Sequence, residues 1–312
     1  MWEHSEQNER ERHREQRGER LEETALGLAH ELADKENAEL GFVLLDEEGR
    51  VRPESFAGAD GPYQQSEIEQ HAATVREREL DWSDFEDQRV RVFHVAEFGV
   101  RTEGKSDDQI TDELLAAWRR RQYRHDGPLA EIAVTTILNR LLDEEFLVVR
   151  ASRYDDVVHG ADQLIVRKDT GDVVCAFDEV LDEAGGTRRA AKYEKVIKNA
   201  KRGGTELTYG LTYAAGKPKL TPIKNIPNFA LAIGKGTLRS VLRELGTSET
   251  LGPSSLEAAQ LLLDALQQQH AALEHETLPE PVRNNLSRFR DALARMKAVL
   301  EERVAVGGSP AR

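Results

Sequence analysis

One cysteine, Cys175, in 312 residues excludes an intramolecular disulfide framework and any multi-cysteine metal site. It lies inside the apolar stretch 173–180, where a buried, inert thiol is the simpler assignment than a nucleophile. Long apolar runs are also missing, and none approaches the roughly 20 residues needed to cross a bilayer. The opening residues MWEHSEQNERERHREQRGER hold no apolar core of the signal-peptide kind. With 32% charged residues and a mean hydropathy of −0.60, the expectation is a soluble, cytoplasmic protein with no membrane partner. Several reactive motifs are absent too. Gly234-Lys235-Gly236-Thr237 lacks the glycine spacing of a phosphate loop. No Gly-x-Ser-x-Gly, His-Glu-x-x-His or strand-following Gly-x-Gly-x-x-Gly occurs, which removes the usual hydrolase, zinc-protease and dinucleotide signatures.

What is present is charge, unevenly spread. The net charge is −14, yet residues 187–224 hold ten Lys and Arg against only Glu194 and Glu206. That surplus of eight leaves −22 for the rest of the chain. Such a stretch can meet a polyanion, because local potential does the steering, or it can be a solvated face balancing an acidic neighbour. Arg119, Arg120, Arg121 and Arg124 form a second basic cluster beside Tyr123.

The patterning divides the chain into three parts. Residues 1–105 form a charged, helical N-terminal extension with a short β element. Helices are expected from residue 21 to 40 and over 66–80, a strand and turn near 41–49, a loop over 53–63, and an alternating strand over 89–95. Residues 106–246 form the core. Ser106 and Gln109 make a capping box, and Pro128 opens a helix running to about 142 with Ala130, Ala133, Val134, Ile137 and Leu141 along one face and Glu131 at its edge. Strands follow at 146–154, 162–168 and 173–180, then a helix over 187–202 ended by Gly203-Gly204. In that helix Tyr193, Ile197 and Ala200 are predicted to face the core. Strands at 207–213 and 229–234 and a helix at 237–245 complete this part. Residues 254–304 read as a helical hairpin, with a capping box at Ser254 and Glu257 and apolar residues three and four apart. Its seams suit packing on the core or on a second subunit, which makes a homodimer through the hairpin one expectation. The order points to an α/β protein with a mixed sheet covered by helices.

Asp162 and Asp178 carry the chemistry. They sit in two apolar, β-rich segments joined by Asp169-Thr170-Gly171-Asp172, a tight turn. A carboxylate within such strands is costly unless hydrogen-bonded, paired or bound to a cation. Two on neighbouring strands resemble half of a divalent-metal site made of hard oxygen ligands; the plainer alternative is that both are solvated strand ends. Asp155, Asp156 and His159 lie just upstream, where turn chemistry accounts for Asp155 and His159 and leaves Asp156 as a possible additional ligand.

The helix bearing Glu131, the segment 154–162, the strand ending Ala176-Phe177-Asp178 and the lysine-rich helix together resemble the core of the PD-(D/E)XK nuclease superfamily over about residues 126–246. The resemblance implies a restriction-endonuclease-like αβββαβ fold with a Mg²⁺ or Mn²⁺ site held by Asp162, Asp178 and Glu131, and hydrolysis of phosphodiester bonds in DNA. In that family a lysine normally stands two residues after the second acid; here that position is Val180. In some members the lysine has moved to the following helix, and Lys192, or Lys195 on the same face, is placed to supply it. Arg188, Lys195, Lys198, Lys201 and Arg202 would contact nucleic acid, with little sequence preference because no recognition-helix motif is visible. The competing expectation is a catalytically inactive relative that binds nucleic acid or protein.

Overall fold

A computed structural model describes residues 2–57, 62–83, 85, 87–122, 126–182, 187–214 and 217–307. Its elements are α1 (Trp2–Leu40), α2 (Gln65–Ser83), α3 (Gln88–Glu97), α4 (Asp107–Gln122), α5 (Asp126–Leu142), β1 (Phe146–Arg150), β2 (Gln163–Arg167), β3 (Val173–Asp182), α6 (Thr187–Lys201), β4 (Thr205–Ala214), β5 (Lys217–Ile226), β6 (Asn228–Gly234), α7 (Lys235–Leu245), α8 (Pro253–Glu274) and α9 (Glu280–Gly307). None of the described helices is long and apolar enough to cross a membrane.

The protein is mixed α/β. A four-stranded sheet runs in the order β1-β2-β3-β6, and β4 and β5 pair as a separate two-stranded hairpin. β1, β2 and β3 form an antiparallel meander, and β6 then lies parallel to β3 after a crossover containing α6 and the β4–β5 hairpin. The β2–β3 turn works because Gly171 adopts a left-handed backbone (φ 72°) and because a Cβ there would meet the Tyr213 carbonyl oxygen at 2.4 Å.

Alternation along the strands sends side chains to two cores. On one face Phe146, Val148, Ile165, Phe177 and Leu231 pack with α5, α7, α8, α9 and part of α1. On the other, Leu147, Val149, Leu164 and Ala176 meet the β4–β5 hairpin and Leu32, Leu44 and Tyr63 from the N-terminal part. The Tyr63 hydroxyl donates to the Thr208 carbonyl and ties that part to β4. A small third cluster holds Phe85, Ile110, Leu114 and Leu115. α8 and α9 share the first core rather than building one of their own, so the hairpin seams, including Leu263, Leu266, Val282 and Phe289, are consumed inside this chain. Leu261 and Val304 are the large apolar side chains those helices leave exposed among the described residues.

Several local expectations are corrected. Residues 89–95 are helical, not a strand: Asp87 caps α3 by accepting from the Arg89 and Val90 amides, and Val90, Val95 and Phe98 then pack at helical spacing. The 41–49 region is a turn closed by a single Leu45–Val51 bridge. β5 was not anticipated, since Pro218 and Pro222 interrupt its pattern. At the start of α8 the capping carboxylate is Glu244, which accepts from the Ser254 and Ser255 amides, rather than Glu257. The α6 core contacts are Val196 and Ala200, with Tyr193 and Ile197 only partly covered. The Ser106–Gln109 capping box forms in both directions.

Candidate active site

Asp162 stands at the head of β2. Its carboxylate accepts the Glu179 amide at 3.3 Å, and its own amide donates to Phe177 at 3.1 Å. Gln163 pairs with Phe177, so the register continued by one residue sets Asp162 opposite Asp178 on the face that carries Leu164 and Ala176. Asp178 is buried and ion-paired with Lys192, and Lys195 Nζ lies 3.8 Å from the same oxygen. α6 delivers both amines because its Val196–Ala200 side is held on the sheet. Val180 occupies the position two residues beyond Asp178 and is buried.

Glu131 projects from α5 into a different setting. Arg150 Nη2 donates to it at 2.6 Å and Arg50 Nη2 at 3.4 Å. Asp156 pairs with Arg50 at 3.0 Å and with Arg153 at 3.3 Å. Arg153 also donates to the buried Glu79, which Arg119 grips from the other side. Arg50 and Arg150 are themselves almost wholly buried, so the acids beside Asp162 are threaded with guanidinium groups. Of these arginines the sequence singles out Arg119 alone, as part of a basic cluster; Arg50, Arg150 and Arg153 carry no local signal.

Glu179 lies on the α5 face by alternation, yet the β2 ladder ends at Gln163, so the two faces meet around the strand end. Burial pushes the Asp162 carboxyl well above the usual carboxylate range, and the charges of Asp156, Asp178, Glu131 and Glu179 push it further. Burial does the same to Glu179, aided by Glu131 and Asp178, with Arg150 opposing. Both Glu179 carboxylate oxygens are buried with no N–H or O–H donor of a neighbouring residue on them among the described residues, and the Asp162 carboxyl is the side chain they meet.

The neighbouring cluster is structural in part. Asp155 is fully buried in a π-helical turn, Asp155–His159, where it accepts from Ser152 Oγ and from the Thr208 and Tyr209 amides. It therefore pins β4 to the core. His159 Nε2 contacts Thr208 Oγ1 at 3.1 Å. The turn ends on Gly160, whose left-handed backbone (φ 65°) is what favours glycine there, and Lys195 Nζ lies 3.6 Å from where a Cβ would stand, an ordinary contact.

The basic stretch is dispersed. Lys198 is exposed near Glu194, Lys201 pairs with Glu276 at 2.7 Å, Lys224 pairs with Glu206, and Arg202 is exposed. The side chain of Arg188 lies outside the described residues, as do Tyr123 and Arg124. Arg121 is paired with Glu97 and Arg119 with Glu79, so that cluster divides rather than forming one patch.

Two openings flank the acids. A cleft of about 530 Å³ is lined by Glu131, Asp156, Arg50, Arg150 and aromatic side chains. A pocket of about 30 Å³ is lined by Asp178, Lys192, Lys195 and His159. Among the described residues, no three His, Cys, Asp or Glu side chains are already gathered in metal-ligand geometry. The lysines draw on Asp178 and the arginines on Glu131, which accounts for that spread. The donor set still suits a hard divalent cation, since Mg²⁺ commonly takes one or two carboxylates and keeps waters. Glu179, buried against the Asp162 carboxyl, makes this spot unfavourable for ionised acids unless a cation joins them. In comparisons with known proteins, no family model, curated protein or solved structure matches the chain.

Proposed function

We propose that the chain is a divergent metal-dependent nuclease of PD-(D/E)XK type, with a restriction-endonuclease-like core from α5 to β6, acting on DNA. The observation that carries this reading is the group of carboxylates around Asp162, in which, among the described residues, neither Asp162 nor Glu179 is held in a salt bridge while Lys192 reaches Asp178. The meander of β1, β2 and β3 followed by α6 and a parallel β6 supports it. So does an acid at the head of β2 and another on β3.

Asp162 and Asp178 would hold Mg²⁺ or Mn²⁺, with Glu179 adding negative charge from the other side of the strand end. Glu131 is the weaker ligand, because two arginines already bind it. When bound, such a cation neutralises phosphate charge and lowers the pKa of a coordinated water. The protein's own work is positional. Lys192 brings an ammonium to the acids, where it can orient the attacking water or stabilise charge building on phosphorus. Lys195 stands one helical turn away and is more exposed. Lys198 and Arg202 face outward on the same helix end and could steer the backbone.

The decisive experiment is Mg²⁺-dependent cleavage of plasmid and oligonucleotide DNA. Asp178→Asn should abolish it with the fold intact by circular dichroism. Lys192→Met should lower the rate by roughly 10²–10³-fold, the typical loss when one charge-stabilising donor is removed. Adding Val180→Lys to the Lys192→Met chain should restore part of that loss, because position 180 shares the face of Asp178. Activity untouched by Asp178→Asn sinks the reading. One observation favours an inactive binding relative instead: Asp178 and Glu131 are both already engaged by cationic side chains. DNA binding without cleavage under any divalent metal would select it.

A further inference from the structure

The cleft beside the acids has walls that the proposed hydrolysis does not use. Trp82 on α2 and Trp118 on α4 both line it, and Trp82 is 55% exposed despite being the largest apolar side chain available to bury. An indole left open in a concave site offers a flat face to another ring. At the same end, Arg119 and Arg153 both grip Glu79, and Arg153 also reaches Asp156. Those two side chains remain 40% and 36% exposed, within reach of an incoming anion. At the other end the cleft is closed by Glu131 and Asp156, whose charges act on Asp162.

We infer that this cleft binds an unpaired nucleotide of a single-stranded DNA segment, its base on the indole of Trp82 and its phosphate at Arg119 and Arg153. The inference rests on the nuclease reading for its ligand class and goes beyond it by naming the strand state. A duplex keeps its bases stacked inside and cannot offer a ring face to a side wall, whereas an unpaired base can. The volume of about 530 Å³ lies within the range of pockets that enclose small ligands, so it suits a nucleotide and not a duplex. Of the guanidiniums lining the cleft, Arg119 and Arg153 are the ones whose side chains stay partly exposed, whereas Arg50 and Arg150 are buried. Affinity should therefore come mainly from stacking and fall with salt by about one or two phosphate contacts rather than many.

Of the three tryptophans, two line the cleft, so intrinsic fluorescence reports on it directly. Oligo(dT) titrated into the full chain in EDTA should quench this signal, and a duplex of equal length should quench it far less. Trp82→Ala, at an exposed position where folding is not at stake, should weaken oligo(dT) binding by about 5- to 150-fold, the span of one base–aromatic stack. Arg119→Ala should weaken it less and flatten its salt dependence. Equal binding of duplex and single strand, no quenching at low salt, or full affinity in Trp82→Ala would overturn the inference. The nuclease reading fails separately: quenching with no Mg²⁺-dependent cleavage of any DNA leaves the cleft and removes the catalysis, while cleavage without quenching does the reverse.

Discussion

Glu179 is a carboxylate placed where its charge is unwelcome, and pH reveals it. Its carboxyl lies well above the usual range because of burial first, then the charges of Glu131 and Asp178. A raised acid pKa means the folded state prefers the proton. The cost of ionising Glu179 is therefore absent below its unfolded value, near 4.3, and grows as pH rises above it. Asp162 acts with the same sign. Glu179→Gln keeps the shape and removes the charge. It should stabilise the protein at pH 8 by on the order of 1–3 kcal/mol and make no difference near pH 4. Thermal melts of both chains at the two pH values check this, and a difference that does not change with pH sinks it. Mg²⁺ should raise the melting temperature of the parent chain at pH 8 more than that of Glu179→Gln, since a bound cation offsets the charge that the substitution deletes.

At the scale of elements, the entry to α8 shows how a helix can be started from outside its own sequence. Glu244, on α7, accepts the first amides of α8. Burial alone would raise its carboxyl, but hydrogen bonds from Ser255, Ser254 and Gly252 outweigh it and hold it below the ordinary range. This contribution is present above the unfolded glutamate value and is lost as pH falls through the lower folded one. Glu244→Ala should cost about 0.5–2 kcal/mol in denaturant melts at pH 7, and the deficit should shrink in acid. Sequence reading chose Glu257 for this role because a capping box is local, whereas Glu244 arrives through the packing of α7 on α8. The same limit explains other differences. The Arg-Val alternation of 89–95 fits period two, but the Asp87 cap and three apolar contacts make it helical. β5 escaped because its prolines argue against a central strand, while a two-stranded hairpin has open edges that tolerate them. The meander, α6 and β6 were legible because each carries a dense local pattern. Asp162, Asp178 and Lys192 were legible because their elements are neighbours in sequence. Arg50, Glu79, Arg150 and Arg153 come together only through tertiary structure, and strand alternation placed Glu179 on the far face without showing that the strand end brings it back.

At the scale of the molecule, the C-terminal helices are part of the main core. Val282, Phe289 and Met296 pack in one cluster with Ile137, Phe177 and Phe229. A chain ending at residue 252 should therefore lose its cooperative melt and bind hydrophobic dyes, rather than remain as a folded core shorn of an appendage. A sharp transition in that truncated chain would show the hairpin to be separable. The position of Lys192 and Lys195 on α6 has a different bearing. An amine on the same strand as its acid shares one pleat with it and travels wherever the sheet goes. An amine carried by a helix is on loan: it keeps its post only while the helix keeps its seat. Here the seat is Val196 and Ala200, fastened at the far end by Lys201 to Glu276 and by Asn199 to Thr205. Loosening this fastening would draw the amines away from Asp178. The two amines are not equivalent, since Lys192 is in contact with the carboxylate while Lys195, one turn away, stands 3.8 Å from it and is largely exposed.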